Sequence, residues 1–240
     1  MVKIEAKGKS YVAINNEIHQ NAGEILVTDC CGQRFIGAGM GNCAIKIQGI
    51  PGNALGAYLN GGEIEVFSNA QDSVGDTMNA GRIVVHGNIG DTAGYAMRGG
   101  EIYVKGNAGY RTGIHMKAYQ DKLPVIVIGG TAGSFLGEYQ AGGIIIVLGL
   151  NHDGKKIVSN YPCTGMHGGK LYLCSDCQDV LLPKQVTAHT ATAEDMQEIA
   201  PYLEKFSEFF GMDLQQIRSQ VFTVVTPDSQ NPYKQMYVTN

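Results

Sequence analysis

A unit of 19 residues recurs along most of the chain, and it decides what such a chain can fold into. The segment Gly81-Arg-Ile-Val-Val-His-Gly-Asn-Ile-Gly is followed 19 residues later by Gly100-Glu-Ile-Tyr-Val-Lys-Gly-Asn-Ala-Gly. With Gly81 as the marker, equivalents fall at Gly23, Cys43, Gly62, Gly81, Gly100, Pro124, Gly143 and Gly169. The steps are 20, 19, 19, 19, 24, 19 and 26, so the two long ones are the basic unit with insertions of five and seven residues. Glycines keep their places within the unit: Gly49, Gly52, Gly56, Gly61 and Gly62 recur as Gly87, Gly90, Gly94, Gly99 and Gly100. Glycine accepts positive φ and close backbone approach without steric cost. Each unit therefore turns several times and leaves room only for strands of three to five residues.

The strands show as alternating apolar pairs: Ile45/Ile47, Ile64/Val66, Ile83/Val85, Ile102/Val104, Ile126/Ile128, Ile145/Val147 and Leu171/Leu173. A unit this short cannot bury its apolar face alone, so successive units must stack. Stacked short strands with side-chain ladders describe a parallel β-helix, an all-β single-stranded solenoid of about eight coils. At roughly 4.8 Å per coil its length is on the order of 38 Å. Helical repeats are excluded, because each of so many glycines would cost about 1 kcal/mol inside a helix. A propeller fits poorly, since its repeats run to about 40 residues.

The open ends of a solenoid need covers. Residues 1–20 are expected at one end. After Cys177 the glycine pattern stops, which sets a division into a β-helix domain, 1–180, and a C-terminal helix and tail packed on it, 181–240. Thr192-Ala-Glu-Asp195 reads as a capping box. Met196, Ile199, Leu203, Phe206 and Phe210 follow at helical spacing, and Gly211 is the expected stop. Pro201 is expected to kink this helix or split it, and a short strand is expected over 221–225. The residue between the members of each apolar pair points outward, as Lys46, Glu65, Val84, Tyr103, Val127, Ile146 and Tyr172. This column turns from charged to apolar, which makes the terminal helix its expected cover.

Several motifs invite a chemical reading. Gly37-Ala-Gly39-Met-Gly41 looks like part of a dinucleotide fingerprint, but a strand repeat follows where a helix is required, so a coil turn is expected. Tenth positions after the marker stack as Asn53, Asp72, Asp91, Tyr110, Ser134 and Asp153. Asp72 and Asp91, one coil apart, resemble the paired carboxylates of a carbohydrate-cleaving β-helix enzyme; short polar side chains also commonly hold turns. Glu63, Arg82 and Glu101 form a charge-alternating ladder. Cys174-Ser-Asp-Cys177, with Cys163 and His167 upstream, is the one spacing with metal or redox potential. A second CxxC is missing, and buried structural thiols are the expected reading. No catalytic, cofactor-binding or firm metal-ligating set is therefore assigned.

With 18 basic and 22 acidic residues the net charge is −4, which argues against nucleic-acid binding through a broad basic surface. Only 7 prolines, and glycines off a three-residue period, exclude collagen. The most apolar run, Ile144 to Leu150, is too short to cross a bilayer. Six cysteines, two of them adjacent at Cys30 and Cys31, are too sparse for a disulfide scaffold, so a cytoplasmic, reduced protein is expected.

The glycine framework resembles the GXGXG domain, the C-terminal β-helix of the glutamate synthase large subunit, over residues 20–180. The resemblance rests on Gly106-Asn-Ala-Gly-Tyr-Arg111, on Gly137-Glu-Tyr-Gln-Ala-Gly-Gly-Ile-Ile-Ile-Val-Leu-Gly149 and on Gly165-Met-His-Gly-Gly-Lys-Leu-Tyr-Leu173. Val221-Phe-Thr-Val-Val-Thr-Pro227 is similar, more loosely, to the end of that subunit. The resemblance implies a right-handed β-helix that acts as a scaffold without catalytic residues. It implies separate partner subunits: a glutaminase and a flavin-binding synthase, the latter carrying FMN and an iron–sulfur cluster. A homo-oligomer is also compatible with it. The same domain occurs in a subunit of formylmethanofuran dehydrogenase, which is the alternative assembly. The other alternative is an independent carbohydrate-active enzyme.

Overall fold

The structure, a computed structural model, describes residues 1–21, 23–150 and 152–228. Eight parallel rungs make the solenoid, with seven turns between them: β2 (Gly23–Cys31), β3 (Cys43–Ile50), β4 (Asn60–Val66), β5 (Ala80–Val85), β6 (Glu101–Val104), β7 (Val125–Ile128), β8 (Ala141–Val147) and β9 (Gly168–Leu173). Their register reproduces the sequence repeat. Ile25, Ile45, Ile64, Ile83, Ile102, Ile126, Ile145 and Leu171 lie in one column, and the residues two further along in a second. Both columns are buried and form the inner core.

Each coil turns through a corner with three residues at positive φ, two apart. They are Phe35/Gly37/Gly39, Ala54/Gly56/Tyr58, Ser73/Gly75/Thr77, Thr92/Gly94/Ala96, Arg111/Gly113/His115, Phe135/Gly137/Tyr139 and Tyr161/Cys163/Gly165. Conformation alone does not select glycine here, because the outer two positions mostly carry side chains. The central one is set by space: a Cβ on Gly94, which follows β5, would stand 2.5 Å from Ile126 Cδ1 of β7, two rungs on. Cys163 occupies the equivalent position in the turn between β8 and β9, where the strand two rungs on, Thr223–Pro227, pairs antiparallel. Hydrogen bonds to both neighbouring coils hold the corner: Gly56 N donates to Ile36 O, whereas Ala54 N and Tyr58 N donate to Asp72 O and Asp76 O.

The covers form as the sequence implies, with local differences. At the N-terminal end β1 (Val2–Glu5) pairs parallel with β2, so this cover begins with a strand of the sheet itself. α1 (Tyr11–His19), capped by Ser10, then buries Ile14 and Ile18 against the core. The Asn15 amide donates to Phe35 O at 2.9 Å and accepts from Gly37 N at 3.0 Å, replacing the missing coil below.

At the other end β10 (Val186–Thr190), α2 (Ala193–Phe210), α3 (Leu214–Arg218) and β11 (Thr223–Pro227) extend the sheet in the order β9-β11-β10, antiparallel. The final strand thus starts two residues later than expected. The Thr192–Asp195 capping box is formed, and Gly211 ends α2 at φ 63°. α2 runs through Pro201 without splitting. Pro201 is exposed, so the Gln197 carbonyl that loses its partner faces the solvent side of the helix. Ile199, Leu203, Phe206 and Phe210 pack on Val84, Tyr103, Val127, Ile146 and Tyr172, which makes α2 the cover of the apolar half of the outward column. Among the described residues no helix is long and apolar enough to cross a membrane.

Candidate functional site: the open flank of the solenoid

Two side-chain ladders run along the corner flank and hold it rigid. Asn69, Asn88 and Asn107 each use Oδ1 to accept the backbone N–H 19 or 24 residues on, from Asn88, Asn107 and Thr131, at 2.8 Å. Asn53, Asp72 and Asp91 do the same toward Asp72, Asp91 and Tyr110, at 3.3, 2.9 and 2.8 Å. Asp72 and Asp91 therefore hold backbone, as turn residues do, and each carboxylate has an amide donor of the next coil as its partner. Asp153 does not continue the column. The seven-residue insertion lies before Ile157, so Ser134 meets Asn160, whose N–H donates to its Oγ. The asparagine column was missed at the sequence level, although its 19-residue spacing was visible there.

Gly37-Ala-Gly39-Met-Gly41 forms the first coil corner, and its Gly37 N–H is taken by Asn15. Cys163, His167, Cys174 and Cys177 do not converge. Cys163 is wholly buried in the inner core, and Cys177 packs against that same core. Cys174 belongs to the outer cluster beneath α2, and His167 Nδ1 lies 3.0 Å from Gly165 O. Burial pushes the Cys163 thiol up to about 12 and the Cys174 thiol up to about 11, and burial also raises Cys177. Burial thus favours the protonated thiol, which suits packing and disfavours a nucleophilic role. All six cysteines are free, and among the described residues no three His, Cys, Asp or Glu side chains group as metal ligands.

The flank carrying the strand starts is different, because it is open. A groove of about 730 Å³ runs past Gly62, Gly81 and Gly100, walled by Glu24, Glu63, Arg82 and Glu101, with Leu123 at its lip. Its floor is backbone, because neighbouring coils approach too closely for side chains; a Cβ on Gly81 would meet Gly61 and Gly62 carbonyl atoms at 2.7 Å. The five-residue insertion supplies the lip, and Leu123 is 42% exposed.

The charged ladder expected there is formed. Arg82 Nη1 donates to Glu63 Oε2 at 3.2 Å, and its Nε lies 3.7 Å from Glu101 Oε2. Lys205 of α2 donates to Glu101 Oε1 at 2.6 Å, and the Arg82 guanidinium stands over the Phe209 ring at 5.1 Å. Tyr103 donates to Glu101 Oε2 at 3.1 Å; burial and then the Glu101 charge hold its phenol well above the usual range. The ladder thus ties the groove wall to the docked helix. These surface pairs give geometry more than stability.

Exposed aromatic side chains also line the corner flank, and of these only Tyr110 falls in a column read from the sequence. Tyr58, Tyr95, Tyr110, Tyr139 and Tyr161 are each more than 40% exposed. His115 stacks on Tyr139 at 5.2 Å, Phe135 stacks on Tyr161 at 5.3 Å, and Arg111 covers Phe135 while pairing with Glu138 at 3.0 Å. Reading each corner position as a column, as was done for the strands, would have found the others.

The fold and its two flanks define a capped, single-stranded parallel β-solenoid that presents an open groove and an aromatic edge. The family model described as "GXGXG motif" matches residues 2–227, and the chain belongs to that family. An uncharacterized protein of Methanocaldococcus jannaschii is 43% identical to it over 250 aligned residues, covering 98% of this chain and 96% of that one.

Proposed function

We propose that this chain is a non-catalytic structural subunit of a glutamate-synthase-like oxidoreductase assembly. In this reading a glutaminase subunit and a flavin-binding synthase subunit are its partners, and FMN and an iron–sulfur cluster reside on them. The observation that carries the reading is its GXGXG family membership together with how its polar side chains are used. The carboxylates and amides of the corner ladders are spent on inter-coil hydrogen bonds, which rigidify a scaffold. The groove at Glu63, Arg82 and Leu123 is the flank offered to a partner, since its backbone floor and charged wall suit an extended segment.

The test is co-elution of the purified chain with each candidate subunit in size-exclusion chromatography. A stoichiometric complex is expected with at least one of them, weakened by Leu123→Asp, a change at an exposed position. Absence of any complex, or a complex indifferent to Leu123→Asp and Glu63→Lys alike, contradicts the reading.

A further inference from the structure

The eleven-stranded sheet ends on two edges, β1 and β10. A free strand edge is a template for pairing, and proteins blunt such edges with charge or proline. β1 carries Lys3 and Glu5 within its four residues. β10, Val186-Thr-Ala-His-Thr190, has no Lys, Arg, Asp, Glu or Pro, and four of its five residues are exposed. Its one titratable side chain, His189, is engaged within the chain, with Nε2 3.1 Å from Asp195 Oδ2.

The ladder polarity shows which backbone groups of β10 are free. β10 and β11 pair with Val186 opposite Pro227, Ala188 opposite Val225 and Thr190 opposite Thr223. Just beyond the strand ends, Ala191 N donates to Phe222 O and Asp228 N donates to Gln185 O. Residues of an antiparallel pair alternate between bonded and non-bonded positions. Gln185, Thr187, His189 and Ala191 therefore direct their groups into β11, whereas Val186, Ala188 and Thr190 direct theirs outward. Among the described residues no strand pairs with that outer edge.

We propose that this edge pairs antiparallel with β10 of a second copy of the chain, about a two-fold axis through Ala188. Ala188 then faces Ala188 of the partner subunit, and Val186 faces Thr190 of the partner subunit. Every outward N–H and C=O of the three residues gains a partner, in three hydrogen-bonded pairs. The outward positions are spaced symmetrically about Ala188, so the strand is its own complement, as an isologous interface requires. The facing side chains are small or β-branched, and no like charges are opposed. Leu181, five residues before the strand, is 82% exposed, the most exposed large apolar side chain among the described residues and a further surface for a partner to cover.

Sedimentation velocity over a range of concentrations tests this directly. The wild-type chain is expected to form a dimer with rising concentration. Ala188→Lys and Ala188→Glu, both at an exposed position, each place like charges across the axis and should weaken self-association about two- to fivefold. An equimolar mixture of the two variants should recover it as a heterodimer. Hydrogen exchange gives a second readout: amides of Val186, Ala188 and Thr190 should slow with concentration, while those of Thr187 and His189 stay protected throughout. A monomer at every concentration overturns the proposal. So does a dimer that both variants retain unchanged, or a foreign strand that takes the edge of a monomeric chain.

Discussion

Replacing the central corner glycine separates steric fit from backbone conformation. Gly94 and Gly137 share nearly the same φ, 66° and 64°, so alanine meets about the same conformational cost at both, roughly 1–2 kcal/mol. Their surroundings differ. At Gly94 a Cβ stands 2.5 Å from Ile126 Cδ1, whereas at Gly137 the nearest atoms are Gln140 Oε1 at 3.0 Å and Ile145 Cδ1 at 3.5 Å. Two rungs beyond Gly137 the isoleucine column carries Leu171, in the place Ile126 has relative to Gly94, and no contact from Leu171 is among the nearest to Gly137. Overpacking adds about 1–3 kcal/mol at Gly94 only. Gly94→Ala should therefore lose about 2–5 kcal/mol, and Gly137→Ala about 1–2 kcal/mol. At about 2–4 °C per kcal/mol for a chain of this size, thermal melting by circular dichroism resolves the difference. Equal destabilisation of the two variants would refute the argument that contact with the rung two on selects glycine. Gly94→Val should aggregate or fail to fold; Gly137→Val should be destabilised less.

Three further outcomes follow from the packing and the titrating groups. Phe206 is fully buried between α2 and the outer column, so Phe206→Ala should cost about 3–5 kcal/mol and open α2 to limited proteolysis. At Asp195 burial raises the carboxyl, but hydrogen bonds from Thr192 N–H, the Thr192 hydroxyl and His189 outweigh it and hold the group down to about 2. A depressed carboxyl stabilises the fold above its unfolded value and loses that contribution as pH falls. Asp195→Asn should thus flatten the decline in stability between about pH 4 and pH 2 in an acid titration. Native labelling by iodoacetamide should modify the exposed Cys31 and spare Cys163, whose buried thiol is pushed up to about 12; rapid labelling of Cys163 would contradict its placement in the core.

The solenoid was legible because its period is carried by two signals that share one cause. Ile83, Ile102 and Ile126 stack with one another, and Gly75 and Gly94 are spaced to let Ile102 and Ile126 through, so a change at either site would break the repeat. The terminal helix was legible for the same reason, since Val84 to Tyr172 and Ile199 to Phe210 are two halves of one apolar surface. Less local features were harder to read. The corner conformation at Thr92 or Tyr139 leaves no compositional mark, because neighbouring coils enforce it through hydrogen bonds. Asp153 was misplaced because an insertion shifts register without showing where in the unit it falls. The groove was invisible as a site: its floor is backbone, and only the Glu63–Arg82–Glu101 wall is written in side chains. The candidate thiols were proposed on spacing alone, and spacing does not reveal that Cys174 and Cys177 pack on different clusters.

The most direct test of the scaffold account is glutamine-dependent reduction of 2-oxoglutarate, measured with this chain alone, with the candidate glutaminase and flavin-binding synthase subunits alone, and with all three together. The account predicts no turnover by this chain by itself, full activity with all three, and a marked fall when this chain is left out. Turnover by this chain with no partner present, or undiminished activity of the other two without it, would contradict the account.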